Sequence, residues 1–271
     1  MSDFTTLKYG VNASIATITL DRPERLNALG KKSLHEINAA MDLAESDDHV
    51  KVVVINGEGK AFSSGFDLKE QMEARPEGDA LWREILDRDY NTTMRFWDCP
   101  KPTIAAVHGA CLAGAFEIAL ACDLTVAAQS AIFGEPELKF GAGIVTMLLP
   151  WMANPKQAKE IILTGLDHID ATRAAELGFV NRVVPDGEHL NEALRIARTM
   201  CVIDPNLVRA TKRAINHSFE VRGMKDSLHH ALDIDHAIES AGSPDKQAFM
   251  EVAREQGMRE AIRWRDRRFE G

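Results

Sequence analysis

The segment from Thr103 to Cys122, TIAAVHGACLAGAFEIALAC, constrains this chain more than any other. It runs twenty mostly apolar residues, about the length that crosses a bilayer. Yet it follows Pro102, contains His108, Gly109, Gly114 and Glu117, and stops at Asp123. An ionisable group inside a span is costly. The pattern instead predicts a buried strand over 103–109, a glycine turn, and a buried helix from Gly114 to Cys122. Such a unit must be covered by the rest of the chain. It also leaves one carboxylate, Glu117, among apolar neighbours.

The flanking sequence can supply that cover. Residues 14–20, 51–57 and 124–128 are β-branched or apolar and read as strands. Residues 32–46 and 77–98 carry apolar residues at helical spacing. From about 155 the pattern is mostly helical, with a short strand-like VNRVV at 180–184. A turn at Gly242–Pro244 precedes a last helical stretch, 245–268. This predicts an α/β core over 1–195 and a helical section over 196–271. The 271 residues can bury a core without staples, and 45% apolar content excludes a disordered chain. A net charge of −9 argues against a dedicated nucleic-acid binder. Four cysteines form no CxxC pair, and MSDFTTLKYG has no basic-then-apolar leader. The expectation is a cytoplasmic protein with no membrane partner.

Two carboxylates stand near transitions between elements: Glu117 in GAFEIALACD and Glu137 in FGEPELKF. A buried carboxyl holds its proton to higher pH, because the charged form loses hydration. Two such groups close together split into a neutral and an ionised member. They could then hold a water between them, one taking a proton while the other delivers one. The plainer alternative is that Glu117 bridges a helix and Glu137 sits on the surface after a proline turn. Gly114 opens a helix, where N–H groups are unpaired and can meet a developing oxyanion. The SSGFD loop, 63–67, could offer a second N–H. Ordinary glycine turns would read the same way.

The motifs LDRPERLNAL (20–29), GKAFSSGFDLKE (59–70), PTIAAVHGACLAGAFEIALACD (102–123), FGEPE (133–137), LTG (163–165) and AAELGFVN (174–181) together resemble the crotonase, or enoyl-CoA hydratase/isomerase, superfamily. Their order and spacing carry the likeness, which runs from about residue 5 to 240. The resemblance implies an α/β spiral of repeated ββα units with a helical C-terminal trimerisation region. It implies a homo-oligomer, a trimer or dimer of trimers. It implies an acyl-CoA thioester substrate and no separate cofactor or metal, coenzyme A being part of the substrate. By position, the oxyanion hole falls on the backbone N–H groups of Phe66 and Gly114. The two hydratase glutamates fall on Glu117, which would activate water, and Glu137, which would exchange the α-carbon proton. Coenzyme A would lie along Arg25, Ser63, Ser64, Asp67, Leu68 and Lys69.

Three departures qualify the likeness. The family's glycine triplet is here Ala113-Gly114-Ala115. The segment after the second glutamate, GAGIVTMLLP (141–150), is bulkier than usual. The C-terminal Gly257, Arg265 and Phe269 come after extra residues, and Ala261 replaces an aromatic. Isomerisation, thioester or C–C hydrolysis, decarboxylation, or non-catalytic acyl-CoA binding remain alternatives. Trp82, Tyr90, Met94, Ile144 and Met147 are candidate walls of an acyl pocket. His229 and Asp233 share a helix face but read as solvated polar residues rather than metal ligands. Residues 254–271 hold six arginines against four acids, a local positive charge for an anionic ligand.

Overall fold

The structure is a computed structural model that describes residues 4–270. Its main sheet has six strands in the order β1-β2-β3-β4-β6-β9. These are Leu7–Asn12, Ile15–Leu20, Val52–Gly57, Thr103–Val107, Leu124–Ala128 and Arg182–Val184. Only the β1–β2 hairpin is antiparallel; the others run parallel. A smaller sheet, β5-β7-β8, joins Ala110–Leu112, Ile132–Gly134 and Ile169–Asp170.

Strand β3 explains the layering. Every residue of VVVING is buried, as expected for a strand covered on both faces. Successive side chains point to opposite faces. Val53 and Ile55 join the larger core. It includes α1 (Lys31–Ser46), α3 (Asp79–Asp98) and α4 (Gly114–Ala121). Val52 and Val54 join a second core beneath α8 (His189–Val202). Residue 195 therefore lies inside α8, which covers the sheet.

The apolar stretch resolves as expected: β4, then the turn and β5, then α4. Every residue of α4 is buried, Glu117 included. The expected helix over 245–268 is two helices, α11 (Pro244–Gln256) and α12 (Met258–Arg267), separated at Gly257. They fold back onto α2 (Leu68–Ala74) through Phe249, Met250, Leu68, Met72 and Phe140. Asn27 ties the first two motifs together. Its amide donates to the Glu58 and Ala61 carbonyls, at 2.9 and 2.8 Å. No described helix is long and apolar enough to cross a membrane.

Candidate active site

Glu117 and Glu137 come together, and a third carboxylate joins them. Glu117 lies one turn into α4. Glu135 follows β7 directly, and Glu137 opens a 3₁₀ turn over Glu137–Phe140. One carboxylate oxygen from each of the three lies within 4.8 Å of the others. The Glu135 N–H donates to the Leu166 carbonyl at 2.9 Å. The Thr146 N–H donates to Glu117 Oε1 at 3.0 Å. The Oε2 atoms of all three are buried with no hydrogen-bond partner among the described residues.

Burial sets their acidity. It pushes Glu117 up to about 8, with the Glu137 charge adding to the rise and the Thr146 N–H opposing it. Burial also raises Glu137, to about 7, opposed first by its own backbone N–H and then by the neighbouring Glu135 carboxyl. Glu135 is raised well above the usual range by burial, then by the charges of Glu137 and Glu117. Asp235 of α10 (Met224–Ala241) is raised to about 7 by burial and then by Glu239. Its charge in turn adds to the rise of both catalytic candidates.

The two expected oxyanion groups sit on segments that interlock. Gly65 has φ +90°, and a Cβ there would lie 2.7 Å from the Ala113 methyl. A Cβ at Gly114 would lie 2.4 Å from the Phe66 ring. Each glycine thus admits the other segment's side chain. Among the described residues, neither the Phe66 N–H nor the Gly114 N–H donates to a protein acceptor. Ala113, just before α4, has φ +55°. That conformation favours glycine and strains alanine.

A cleft of about 170 Å³ runs between α2 and α3 and reaches Phe66. Asp67, Gln71, Ile85 and Asp89 are among its walls. Asp89 is raised to about 7 by burial, opposed by the Arg88 guanidinium at 2.7 Å.

The remaining expected residues divide. Arg25 pairs with Asp67 at 2.9 Å, and Arg22 joins at 3.3 Å. Asp67 also caps α2 by accepting from the Glu70 N–H. Ser63 is fully buried, and its hydroxyl donates to the Asn27 carbonyl at 2.8 Å. It braces the loop from within. Ser64 and Leu68 are half-buried, Leu68 against α11. Lys69 is exposed, 3.9 Å from Glu73. Tyr90, Met94 and Ile144 belong to the main core, with Met147 packed against it. Trp82 lines a different groove, of about 660 Å³, between the start of α3 and α10–α11. The His229 ring lies 5.2 Å from the Tyr90 ring at a tilt of 43°, and Asp233 pairs with Arg83.

The arginine-rich end is largely paired internally. Arg267 pairs with Glu260, Arg268 with Asp245, and Arg265 with Asp266 and Asp167. Arg265 also lies over the Phe140 ring at 4.4 Å, bracing the turn that carries Glu137.

Residues 10–255 match the family described as enoyl-CoA hydratase/isomerase. A probable mitochondrial enoyl-CoA hydratase of Dictyostelium discoideum is 37% identical over 211 residues, covering 76% of this chain and 74% of that one. An enoyl-CoA hydratase/isomerase of Bacillus subtilis is 33% identical, covering 90% and 94%. A crystal structure of an enoyl-CoA hydratase/isomerase from Xanthobacter autotrophicus Py2 is 62% identical with a TM-score of 0.98, over 99% of this chain and 100% of that one. With the motifs, the fold and these matches in agreement, the chain belongs to the enoyl-CoA hydratase/isomerase family of the crotonase superfamily.

Proposed function

We propose that this enzyme hydrates a trans-2-enoyl-CoA. The observation that carries the reading is the buried pair Glu117 and Glu137, both raised towards neutrality beside two free N–H groups. A base poised near the working pH is what proton transfer requires. The pair shares one proton, and hydration starts from the less populated form with that proton on Glu137, so that ionised Glu117 takes a proton from water as its oxygen bonds to the β-carbon. The double-bond electrons shift, and negative charge collects on the thioester oxygen. The Phe66 and Gly114 N–H groups meet that charge. Neutral Glu137 then gives its proton to the α-carbon, and the thioester carbonyl re-forms. Water is added, and one proton has moved from Glu137 to Glu117.

Coenzyme A lies along the α2–α3 cleft in this reading, with Lys69 at its phosphates. Arg25 acts at one remove, by fixing Asp67. The assembly is a trimer or dimer of trimers. Exposed Val202, Leu207, Ile215 and Val221 on the helical section supply apolar surface for it. Light scattering checks the mass.

The direct test is incubation with crotonyl-CoA and longer or cyclic enoyl-CoAs. Loss of the conjugated chromophore, with a product one water heavier, supports hydration. A product of unchanged mass indicates isomerisation, and free coenzyme A indicates thioester hydrolysis. Binding without turnover across the panel, or hydration that survives both Glu117→Gln and Glu137→Gln, overturns the reading.

A further inference from the structure

Glu135 has no task in the mechanism above, yet it is sealed inside the site. It is 1% exposed. Its carboxylate lies within 4.8 Å of those of Glu117 and Glu137. Its backbone is pinned by the Leu166 carbonyl on one side and followed by Pro136 on the other. The side chain therefore has little room to leave.

The surroundings leave three carboxyls to settle their charges among themselves. Cys111 of β5 faces Glu135, raised well above its usual value by burial. Glu117 faces it from α4, and Asp235 reaches Glu137 from α10. The nearby cations are occupied elsewhere. Lys139, on the same turn, pairs with Asp167 at 3.1 Å, and Arg265 pairs with Asp167 and Asp266. Carboxyls at this separation in a dry space cannot all ionise, so neighbours share protons.

We propose that Glu135 is a positioning residue that keeps its proton and donates it in a hydrogen bond to Glu137. The consequence is an asymmetry between the two catalytic candidates. During hydration the site's negative charge moves from Glu117 to Glu137. Glu135 meets that charge where it arrives, so Glu137 is the stronger acid of the two. Burial raises both acids, and the contact between them adds to the rise at Glu135 while opposing it at Glu137, which agrees with that direction of donation. No net proton is consumed, because Glu135 ends each turnover as it began.

The role in turnover rests on the hydratase reading, but the first measurement needs no substrate. Carbon-13 NMR of the labelled glutamate carboxyls, followed against pH, reads the protein directly. In the wild type, Glu135 stays neutral after Glu137 has ionised. In Glu135→Leu, which has no donor, the Glu137 midpoint rises by about one unit. In Glu135→Gln, whose amide still donates, it does not rise. With an enoyl-CoA, Glu135→Leu lowers kcat about ten- to a hundredfold, the effect of losing one charge-assisted hydrogen bond. Glu135→Gln stays within a few fold.

The proposal is overturned if Glu135 ionises before Glu137, if the Leu variant leaves the Glu137 midpoint in place, or if Gln behaves as Leu does. Should Glu135→Leu not fold, Glu135→Gln still decides. Its spectrum must lose the resonance that stays neutral to the highest pH, without a rise in the Glu137 midpoint. The titration can fail while hydration stands, and hydration can fail while the titration stands.

Discussion

The two ends of the candidate site use the same residue types to opposite effect. At the cleft end several carboxylates have a cation, though Glu70 and Glu84 on its walls have no ion pair among the described residues. Asp67 holds Arg22 and Arg25, Asp89 holds Arg88, and Glu73 lies near Lys69. At the other end Glu117, Glu135 and Glu137 are buried without any cation in contact among the described residues. Pairing makes a carboxylate part of the framework. Burial without pairing leaves a group whose proton is available near neutrality. A counter-charge decides the outcome only where burial does not outweigh it, since Asp89, beside Arg88, is still raised to about 7.

That contrast can be attacked directly. The largest effect is expected from removing a proton carrier at the unpaired end. Glu117→Gln or Glu137→Gln should lower hydration by about 10³-fold, within the range for lost general acid–base catalysis. Steady-state rates on crotonyl-CoA check it. Next comes Gly114→Ala. Its new methyl meets the Phe66 ring, and displacing one oxyanion donor should cost about 10²-fold in kcat.

At the paired end the losses should fall on stability instead. Asp67→Ala removes two ion pairs and a helix cap together. It should cost about 2 kcal/mol, read by urea unfolding. The strongest break in the comparison would be a larger loss of kcat than of stability there.

A smaller effect separates the ends by pH. Glu117 ionises near 4.5 when unfolded and near 8 when folded. Between those values the folded chain binds more protons than the unfolded one. Its contribution is therefore most favourable below about 4.5 and is lost as pH rises towards 8. Glu117→Gln should raise Tm by roughly a few degrees at pH 8 and by less at pH 5, as calorimetry would show. The smallest effect is expected for Lys69→Ala. An exposed, loosely paired lysine should change stability by less than about 0.5 kcal/mol. KM for the acyl-CoA should still rise a few fold if the ammonium touches a phosphate.

The contrast also explains what the sequence could announce. Glu117 stands out because a charged residue interrupts an apolar run, and β3 because six buried residues follow one another. Glu137 and the free N–H of Gly114 were reachable through motif spacing. Glu135 is hidden in the sequence because a Glu-Pro step reads as an exposed turn. The available signal was a second acid two residues before Glu137 in the same motif, where Pro136 (φ −82°, ψ 4°) turns the chain from β7 into the 3₁₀ turn. Tyr90, Met94 and Ile144 are apolar at regular spacing, and that pattern does not distinguish a pocket wall from core. Ser63 sits in the right motif, but only the folded loop reveals that its hydroxyl faces inward. The extent of the core was blurred because α8, which covers the sheet, and the helices after it are all amphipathic.

The interlock at the two free N–H groups carries a consequence for how this enzyme can diverge. Residues 65–66 and 113–114 lie almost fifty positions apart, yet each pair occupies space that the other leaves vacant. A larger residue at 114 becomes tolerable only after the ring at 66 has been reduced, whereas one at 65 stays strained even without the Ala113 methyl, because its φ is +90° and the Leu112 carbonyl lies 2.7 Å from its Cβ. At 66 and 114, single substitutions should be harmful where paired ones are neutral. Lineages that change substrate should therefore alter these positions in matched couples, leaving sign epistasis as the historical trace of a shared boundary.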